Sequence, residues 1–249
     1  MVRSQIGKNE INKGSRRLLP VCKLAAIFHH KAICITVGLN SVKNIAIFLC
    51  ILRIICYNRH IPRRGCGVMG GYFAAVSKED CVFDLFFGVD YHSHLGTRRA
   101  GMAVYDPETG FDKAIHNIEN APFRTKFTKE SQEMHGTMGI GCISDFEAQP
   151  ILVRSHHGTF AITTVGKINN ADAIVDEIIG TNAHFFEMHN GEINPTELVA
   201  ALIDQKENFV EGIRYAQDVI DGSMSMLLLT PKGVYAARDK LGRTPIVLG

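Results

Sequence analysis

Short apolar segments bounded by turn residues recur along the chain after residue 70, and this pattern predicts buried strands. The predicted strands are Gly71–Val76, Gly101–Tyr105, Lys113–Ile118, Met138–Ile143, Ile151–Ser155, Thr159–Val165, Ser225–Thr230 and Val234–Arg238. Turn residues separate the last pair, and the sequence His156-His157-Gly158 turns Ile151–Ser155 into its successor. The spacing therefore predicts antiparallel hairpins.

Other stretches of the chain have apolar positions at helical spacing, and they lie between groups of these strands. They predict helices at Asp80–Phe87, after a cap at Asn170 and as far as Gly180, from Asn194-Pro195 to about Gln205, and at Phe209–Ile220. Proline directly after an asparagine cap is typical of a helix start. Strands and helices in blocks, rather than in strict alternation, indicate an α+β fold with helices packed on antiparallel sheets.

Charge divides the chain near residue 68. Residues 1–68 contain 12 of the 27 Lys and Arg residues but one of the 25 acidic residues, which leaves 15 basic and 24 acidic residues for 69–249. Five of the seven cysteines also precede residue 69. Two cysteines in the remaining domain do not indicate a disulfide framework, so a reducing, cytoplasmic location is expected.

Residues 1–68 have three possible interpretations. A membrane or targeting segment is disfavoured because the apolar run Ile45–Cys56 is shorter than the roughly 20 residues that span a bilayer, and Arg53 interrupts it. A nucleic-acid arm is disfavoured because the basic residues are scattered and no aromatic residues alternate with them. We expect upstream sequence translated from a start chosen too early, followed by one domain at 69–249. Neither a membrane nor a nucleic acid is expected as a partner.

Several local motifs have competing interpretations. Ala173–Thr181 is similar to a loop that binds phosphoribosyl pyrophosphate, but an amphipathic helix fits it better. The pairs His92/His94 and His156/His157 have no Cys or carboxylate at ligand spacing, so no metal site is predicted. Gly139-Ile140-Gly141 lacks the rest of a dinucleotide fingerprint and is interpreted as a closely packed strand.

A series of longer motifs, taken in order, resembles the class II glutamine amidotransferase domain of amidophosphoribosyltransferases. The motifs are Met69-Gly70-Gly71-Tyr72-Phe73, HLGTRRAG (94–101), GTMGIG (136–141), EAQP (147–150), GKINNAD (166–172), PTEL (195–198) and ARDKLGRTPIVLG (237–249). The last is the most specific, and the resemblance covers 69–249.

The resemblance implies a four-layer α-β-β-α sandwich of the N-terminal-nucleophile hydrolase type. In that family an N-terminal cysteine attacks the side-chain amide of glutamine, and its own α-amino group acts as the base. An asparagine side chain and a glycine N–H stabilise the oxyanion, and an arginine and an aspartate hold the glutamine backbone. The released ammonia passes to a phosphoribosyltransferase domain in purine biosynthesis.

Most of these groups are replaced at the matching positions. The family's HRGQD block corresponds to His94–Arg98, and Ser144 stands where the arginine is expected. In the block that supplies the oxyanion donors, Gly166 keeps its N–H, but Val165 has no side-chain donor. Pro195 replaces the aspartate. These replacements predict that glutaminase activity is lost.

The nucleophile position has two candidates. The family spacing between the cysteine and the HRGQD histidine leads back from His94 to Gly70, which follows Met69. Cys66 is the fallback nucleophile, and it lies four residues earlier than the spacing requires. Its use would need cleavage after Gly65 and a shifted first strand.

Three functional hypotheses follow from the resemblance. The preferred one is a glutaminase-like domain with degraded glutamine chemistry, which a phosphoribosyltransferase domain would follow after Gly249. The alternatives are an active amidotransferase that uses Cys66 after processing, and a non-catalytic binding or regulatory module in which Thr97, Arg98 and Arg99 contact a different anion. No cofactor is expected within the chain, Mg²⁺ would be needed only by the downstream domain, and a homo-oligomer is compatible with all three.

Overall fold

The computed structural model describes residues 70–180, 192–242 and 244–249, together with the backbone of short strands at 25–28, 31–33, 48–50 and 188–189. Within these residues, no helix is both long enough and apolar enough to cross a membrane. Cys66 and Met69 lie outside the described residues.

The described residues form thirteen strands and six α-helices. The strands are β1 (Ala25–Phe28), β2 (Lys31–Ile33), β3 (Phe48–Cys50), β4 (Gly70–Val76), β5 (Arg99–Asp106), β6 (Gly110–Asn117), β7 (Met138–Ser144), β8 (Ile151–Ser155), β9 (Gly158–Ile168), β10 (Met188–His189), β11 (Glu192–Ile193), β12 (Gly222–Thr230) and β13 (Gly233–Ala237). The helices are α1 (Val82–Tyr91), α2 (Phe123–Lys126), α3 (Glu130–Glu133), α4 (Ala171–Ile179), α5 (Pro195–Asp204) and α6 (Phe209–Val219). A 3₁₀ turn at Ser93–Leu95 follows α1.

Two sheets carry the architecture. One has the strand order β3-β4-β7-β5-β6, and the other has the order β2-β1-β13-β12-β9-β8. β1 runs parallel to β13, and the other ladders in the described part of the chain are antiparallel. The α+β class predicted from the sequence is confirmed at this level.

Three clusters of buried side chains form the core. The first contains residues from both sheets, among them Tyr72 and Ile140 from one and Val165 and Leu227 from the other. The second joins β4, β5 and β7 to α1, to α2 and to Met134, which follows α3. The third joins β8, β9, β12 and β13 to α4, α5 and α6. Alternate residues of each central strand therefore face the opposite sheet, and the others face helices.

The glycines of β7 allow α1 to approach the sheet closely. A Cβ atom on Gly139 would lie 2.6 Å from Cδ2 of Leu85, and one on Gly141 would lie 2.4 Å from Cγ2 of Val89. Both distances are shorter than real Cβ contacts, so only glycine fits at these positions with α1 where it is. The interpretation of Gly139-Ile140-Gly141 as a closely packed strand is confirmed.

Residues 173–179 lie in α4, so the helical interpretation of this motif is confirmed. Asn170 occupies the N-cap position of α4, as predicted, but its side chain makes no capping hydrogen bond. Its amide instead donates to the Val219 carbonyl at 2.9 Å and accepts from the Asp221 N–H at 2.9 Å. Asn170 therefore ties the start of α4 to the end of α6, a long-range contact that local spacing does not reveal.

The short helices α2 and α3 have no counterpart among the predicted elements. Each has four residues, which is too few to establish a helical period in the sequence. Their position is set by packing, since the rings of Phe123 and Phe127 stack at a centroid distance of 4.4 Å and both side chains are buried.

Candidate active site

Three strands of the first sheet bring Gly70, Ser144 and Arg99 together at one edge. Gly70 is the register partner of Ser144 on one side of β7, and Arg99 is its partner on the other side. Residues directly opposite each other in an antiparallel ladder point to the same face. Ser144 shares its face with Cys142, which belongs to the core between the sheets. All three positions therefore face the second sheet.

Val165 approaches this edge from β9 of the second sheet. A Cβ atom on Gly70 would lie 3.5 Å and 3.7 Å from the two methyl carbons of Val165, and 2.9 Å from the Ile143 carbonyl oxygen. Val165 is buried. We call Gly70, Ser144, Arg99 and Val165 the sheet-end site. The positions that the sequence predicted for the nucleophile, the arginine and the oxyanion donor thus meet in space.

The HLGTR segment (94–98) is hydrogen-bonded at the end of β7, beside the sheet-end site. The Thr97 N–H donates to Oδ1 of Asp145 at 2.6 Å, and Asp145 directly follows Ser144. A Cβ atom on Gly96 would lie 2.8 Å from Cγ2 of Ile143, so the backbone of this loop lies tightly against β7. The loop that carries His94 in the sequence motif is therefore held at the end of β7.

The buried side chain of Gln149, from the EAQP motif, forms hydrogen bonds with β9 next to Val165. Oε1 of Gln149 accepts from the Thr164 N–H at 2.7 Å and from the Thr163 hydroxyl at 2.8 Å. Its amide nitrogen donates to the Thr164 carbonyl at 3.0 Å and to Oε1 of Glu147 at 2.9 Å. All four hydrogen-bonding positions of the Gln149 side-chain amide are used. Because Thr164 directly precedes Val165, these hydrogen bonds also fix the backbone position of Val165.

The same network continues to the start of α5. The hydroxyls of Thr164 and Thr196 lie 2.6 Å apart, and the Thr196 hydroxyl also donates to Oε1 of Glu147 at 3.3 Å. The side chain of Asn194 accepts from the Thr196 N–H at 2.9 Å and caps the helix, as the sequence predicted. Pro195 lies between these two residues, so its position relative to Val165 is set by buried hydrogen bonds.

Gly166 follows Val165 and lies against β12. A Cβ atom on Gly166 would lie 1.8 Å from the Ser223 carbonyl oxygen, which only glycine avoids. Ser223 donates through its hydroxyl to Oδ2 of Asp239 at 2.5 Å, and the Asp239 N–H donates to the Ser225 hydroxyl at 3.3 Å. Asp239 belongs to the ARDKLGRTPIVLG motif, so this motif is hydrogen-bonded to Ser223, the residue that packs against Gly166.

Two cysteine side chains fall within the described residues, and both are buried. Burial raises the pKa of the Cys142 thiol to about 12, and burial followed by the nearby carboxylates of Asp80 and Asp84 raises the pKa of the Cys81 thiol to about 12. The thiolate is the nucleophilic form of cysteine. Neither side chain supplies a thiolate at neutral pH.

The basic cluster Thr97, Arg98 and Arg99 is divided by the fold. Arg98 is exposed and its guanidinium lies 3.8 Å from a carboxylate oxygen of Glu119. Arg99 is half-buried and faces the second sheet as the partner of Ser144. Within the described residues, no carboxylate forms an ion pair with Arg99.

Comparison with known proteins shows which proteins the chain resembles. Residues 137–249 match a family model described as a glutamine amidotransferase domain. The chain is 25% identical over 199 residues to the amidophosphoribosyltransferase of Synechocystis sp., an alignment that covers 76% of this chain and 38% of that protein. It is also 25% identical to the enzyme of Methanocaldococcus jannaschii, over 74% of this chain and 40% of that one.

Residues 137–249 are thus similar to a glutamine amidotransferase domain, and the chain is similar to amidophosphoribosyltransferases. Its fold resembles that of the glutamine phosphoribosylpyrophosphate amidotransferase of B. subtilis, with a TM-score of 0.54 at 20% identity, over 66% of this chain and 35% of that chain. A second solved structure, entitled the allosteric regulatory enzyme of purine biosynthesis, has a TM-score of 0.57 at 20% identity, over 70% of this chain and 37% of that chain. The resemblance inferred from the motifs is confirmed.

The chain spans about two-fifths of the length of the curated relatives that it matches. Sequence reasoning located Gly70, Ser144, Val165 and Gly166 in this domain, but it missed the role of Gln149. Gln149 lies within the EAQP motif, yet its four hydrogen-bond partners are 2 to 15 residues away and follow no local period.

Proposed function

We propose that this chain is the glutaminase-like domain of an amidophosphoribosyltransferase-type protein in which the glutamine-hydrolysing groups have been replaced. The relatives are full-length amidophosphoribosyltransferases, and the chain covers less than half of them. In this proposal a phosphoribosyltransferase domain accompanies the amidotransferase domain, with free ammonia as the nitrogen source for a purine precursor.

The observation that carries the proposal is the environment of position 70. A side chain at this position would start 2.9 Å from the Ile143 carbonyl and would meet the methyl groups of Val165. Gly70 supplies no thiol, and a valine side chain has no donor for an oxyanion. The loss of one oxyanion donor typically costs about 3–4 kcal/mol of transition-state stabilisation.

The groups expected to hold the glutamine backbone are also replaced. The hydroxyl of Ser144 accepts from the Phe146 N–H at 3.2 Å, and a hydroxyl cannot form the bidentate ion pair that an arginine forms with a carboxylate. Pro195 is the first residue of α5 and has no side-chain group that can pair with an ammonium. Recognition of free glutamine would therefore lack both of its charged contacts.

The layer order of the fold supports the same assignment. We infer a four-layer α-β-β-α sandwich, because one core cluster joins the two sheets and the other two join each sheet to its own helices. The motifs that support this assignment begin at Met69, so we also propose that 69–249 is the domain and that 1–68 is a separate leader. Cys66 lies in that leader and outside the described residues.

Release of ammonia from glutamine tests the proposal. The purified full chain and its Cys66→Ala variant would be incubated with glutamine, and ammonia would be measured through coupled reductive amination. We expect both proteins to match the rate without protein. Glutamine-dependent ammonia release by the unmodified chain that disappears in Cys66→Ala would overturn the proposal and would favour the processed, active enzyme.

A second function, binding of a small anion, is favoured by Arg99. The cation that the family places at position 144 is absent, but Arg99 occupies the neighbouring strand directly opposite that position. Its guanidinium can donate a bidentate pair of hydrogen bonds to a carboxylate or a phosphate. We propose that the sheet-end site binds a small carboxylate- or phosphate-bearing metabolite without reacting with it.

A further inference from the structure

Two histidines and an aspartate meet at the end of the fold opposite the sheet-end site. His156 and His157 form the turn between β8 and β9, and Asp204 is the last residue of α5. Val165 lies eight positions after His157 along β9, which corresponds to roughly 27 Å. One ligand atom from each of the three side chains lies within 4.8 Å of the other two.

The hydrogen bond of His156 leaves one ring nitrogen facing the carboxylate. Its Nε2 lies 3.1 Å from the Lys206 carbonyl oxygen, and a carbonyl only accepts, so Nε2 carries a proton. In the neutral ring the lone pair is then on Nδ1, which lies 2.9 Å from Oδ1 of Asp204. Metal-binding histidines commonly donate their second ring N–H to a backbone carbonyl in this way.

Two buried polar atoms of these three side chains have no hydrogen-bond partner within the described residues. They are Nε2 of His157 and Oδ1 of Asp204. The contact between Asp204 and His156 is short, but its direction does not satisfy a hydrogen bond. Buried polar atoms are normally paired, so these atoms indicate a ligand that is itself a cation or a donor.

The position of Asp204 on its helix also favours a cation. The carboxyl-terminal end of a helix carries a partial negative charge, and an acidic side chain there is unfavourable. The last turn of α5 contains no basic residue that would compensate for it. A positive ion between Asp204 and the two imidazoles would compensate both the carboxylate and the helix end.

We propose that His156, His157 and Asp204 bind a divalent transition-metal ion of the zinc type, which fastens the β8–β9 turn to the end of α5. Imidazole and carboxylate are ligands that such ions prefer, at about 2.0–2.2 Å. Two ligands at this distance lie about 3.4 Å apart at the tetrahedral angle, so the 2.9 Å between His156 Nδ1 and Asp204 Oδ1 would lengthen slightly when an ion binds between them. Three protein ligands leave a fourth position to water.

The sequence predicted no metal site because the histidine pair has no carboxylate at ligand spacing. Asp204 is 47 and 48 residues away along the chain, and the packing of α5 against the second sheet brings it to the turn. The proposed site is independent of the amidotransferase assignment, because none of its residues belongs to the sheet-end site.

Cobalt and zinc binding test this proposal. The full chain would be stripped of metal by a chelator and titrated with Co²⁺ and then Zn²⁺, with absorption spectra and equilibrium dialysis as readouts. The spectra separate nitrogen and oxygen ligation from thiolate ligation, which matters because the chain has seven cysteines. The variants would be His157→Gln and Asp204→Asn.

The matched control is His135→Gln. His135 lies 3.1 Å from a carboxylate oxygen of Asp80, the same kind of contact, but no third metal-ligating side chain completes a group with this pair in the described part of the chain. We expect the unmodified chain and His135→Gln to bind one Co²⁺ without thiolate bands, and Zn²⁺ to displace it and raise the melting temperature. We expect each site variant to bind about tenfold more weakly or worse.

Two results would overturn the metal site. The first is that the unmodified chain binds no Co²⁺ or shows thiolate bands alone. The contact between His156 and Asp204 would then be an ion pair with protonated His156. The second is equal affinity in all four proteins. If one site variant does not fold by circular dichroism, the other decides the comparison, since both side chains are partly exposed.

Discussion

A Cβ atom on Gly70 would lie 3.5 Å from Cγ2 of Val165, so the position that matches the family's nucleophile faces the position that matches its oxyanion donor across the two sheets. Position 70 carries only a hydrogen atom there, and position 165 carries an isopropyl group. Under the proposed function, these two positions keep their place in the fold without a thiol or an oxyanion donor.

Arg99 should determine anion binding at the sheet-end site. In a thermal-shift screen of the full chain against amino acids, nucleotides and phosphosugars, we expect at least one carboxylate- or phosphate-bearing compound to raise the melting temperature. Arg99→Gln should abolish that shift, because it removes the guanidinium opposite Ser144.

Arg98→Gln is the matched control for this experiment. Arg98 is the neighbouring residue, but it is exposed and lies beside Glu119. The shift should survive Arg98→Gln. No response to any compound, or an equal loss in both variants, would contradict the role of Arg99.

Gln149→Leu should destabilise the domain by about 3 kcal/mol, because it leaves the Thr164 N–H and the Thr163 hydroxyl without their acceptor. Urea unfolding followed by circular dichroism measures the effect. The control Gln132→Leu changes an exposed side chain on α3 and should alter the free energy of unfolding by less than about 0.5 kcal/mol. Equal stabilities of the two variants would show that the buried network is not structural.

The thiol of Cys142 should make stability fall at alkaline pH. Its pKa is raised from 9.0 to about 12 in the folded chain, so the unfolded chain releases this proton first. Stability from this group is present below pH 9 and is lost as pH rises from about 9 toward 12. At about pH 10 the loss from Cys142 should be about 1.4 kcal/mol relative to neutral pH.

The comparison with Cys142→Ala isolates this contribution. The difference in free energy of unfolding between the unmodified chain and the variant would be measured at about pH 7.5 and about pH 10. We expect the difference to shrink at the higher pH, because the variant lacks the titrating thiol. A difference that stays constant would show that the Cys142 thiolate is not suppressed by folding.

Gly88→Ala should destabilise the domain although alanine is the better helix former. A Cβ atom on Gly88 would lie 2.3 Å from the ring of Phe73, so α1 must move away from β4. Overpacking of this kind costs about 1–3 kcal/mol. In a Phe73→Leu background the same substitution should cost less, and a double-mutant cycle measures the difference. Additive effects of the two substitutions would contradict the contact.

Much of the fold could be predicted from local patterns. The predicted strand Ile151–Ser155 and β8 have the same bounds, and α5 begins at Pro195 behind its asparagine cap as the sequence indicated. These elements have strong local signals, namely apolar periodicity and capping residues. Asn170 shows the limit, since it occupies a capping position but bonds to Val219 and Asp221.

The site could be predicted only in part, because its contacts are long-range. The family resemblance placed Gly70, Ser144 and Val165, and strand pairing and sheet packing bring them together. The pairing of Arg99 with Ser144 depends on the register between β5 and β7, which sequence spacing alone does not fix. The position of Asp204 beside His156 depends in the same way on the packing of α5, which is distant from His156 in the sequence.

The most direct test of the central claim is covalent trapping with an electrophilic diazoketone analogue of glutamine. The full chain would be incubated with the analogue, with and without excess glutamine, and then examined by intact mass and peptide mapping. The account predicts no stoichiometric adduct, because Cys81 and Cys142 are buried with suppressed thiolates and Gly70 has no side chain. A stoichiometric adduct on Cys66, or on any other residue, that glutamine prevents would contradict it.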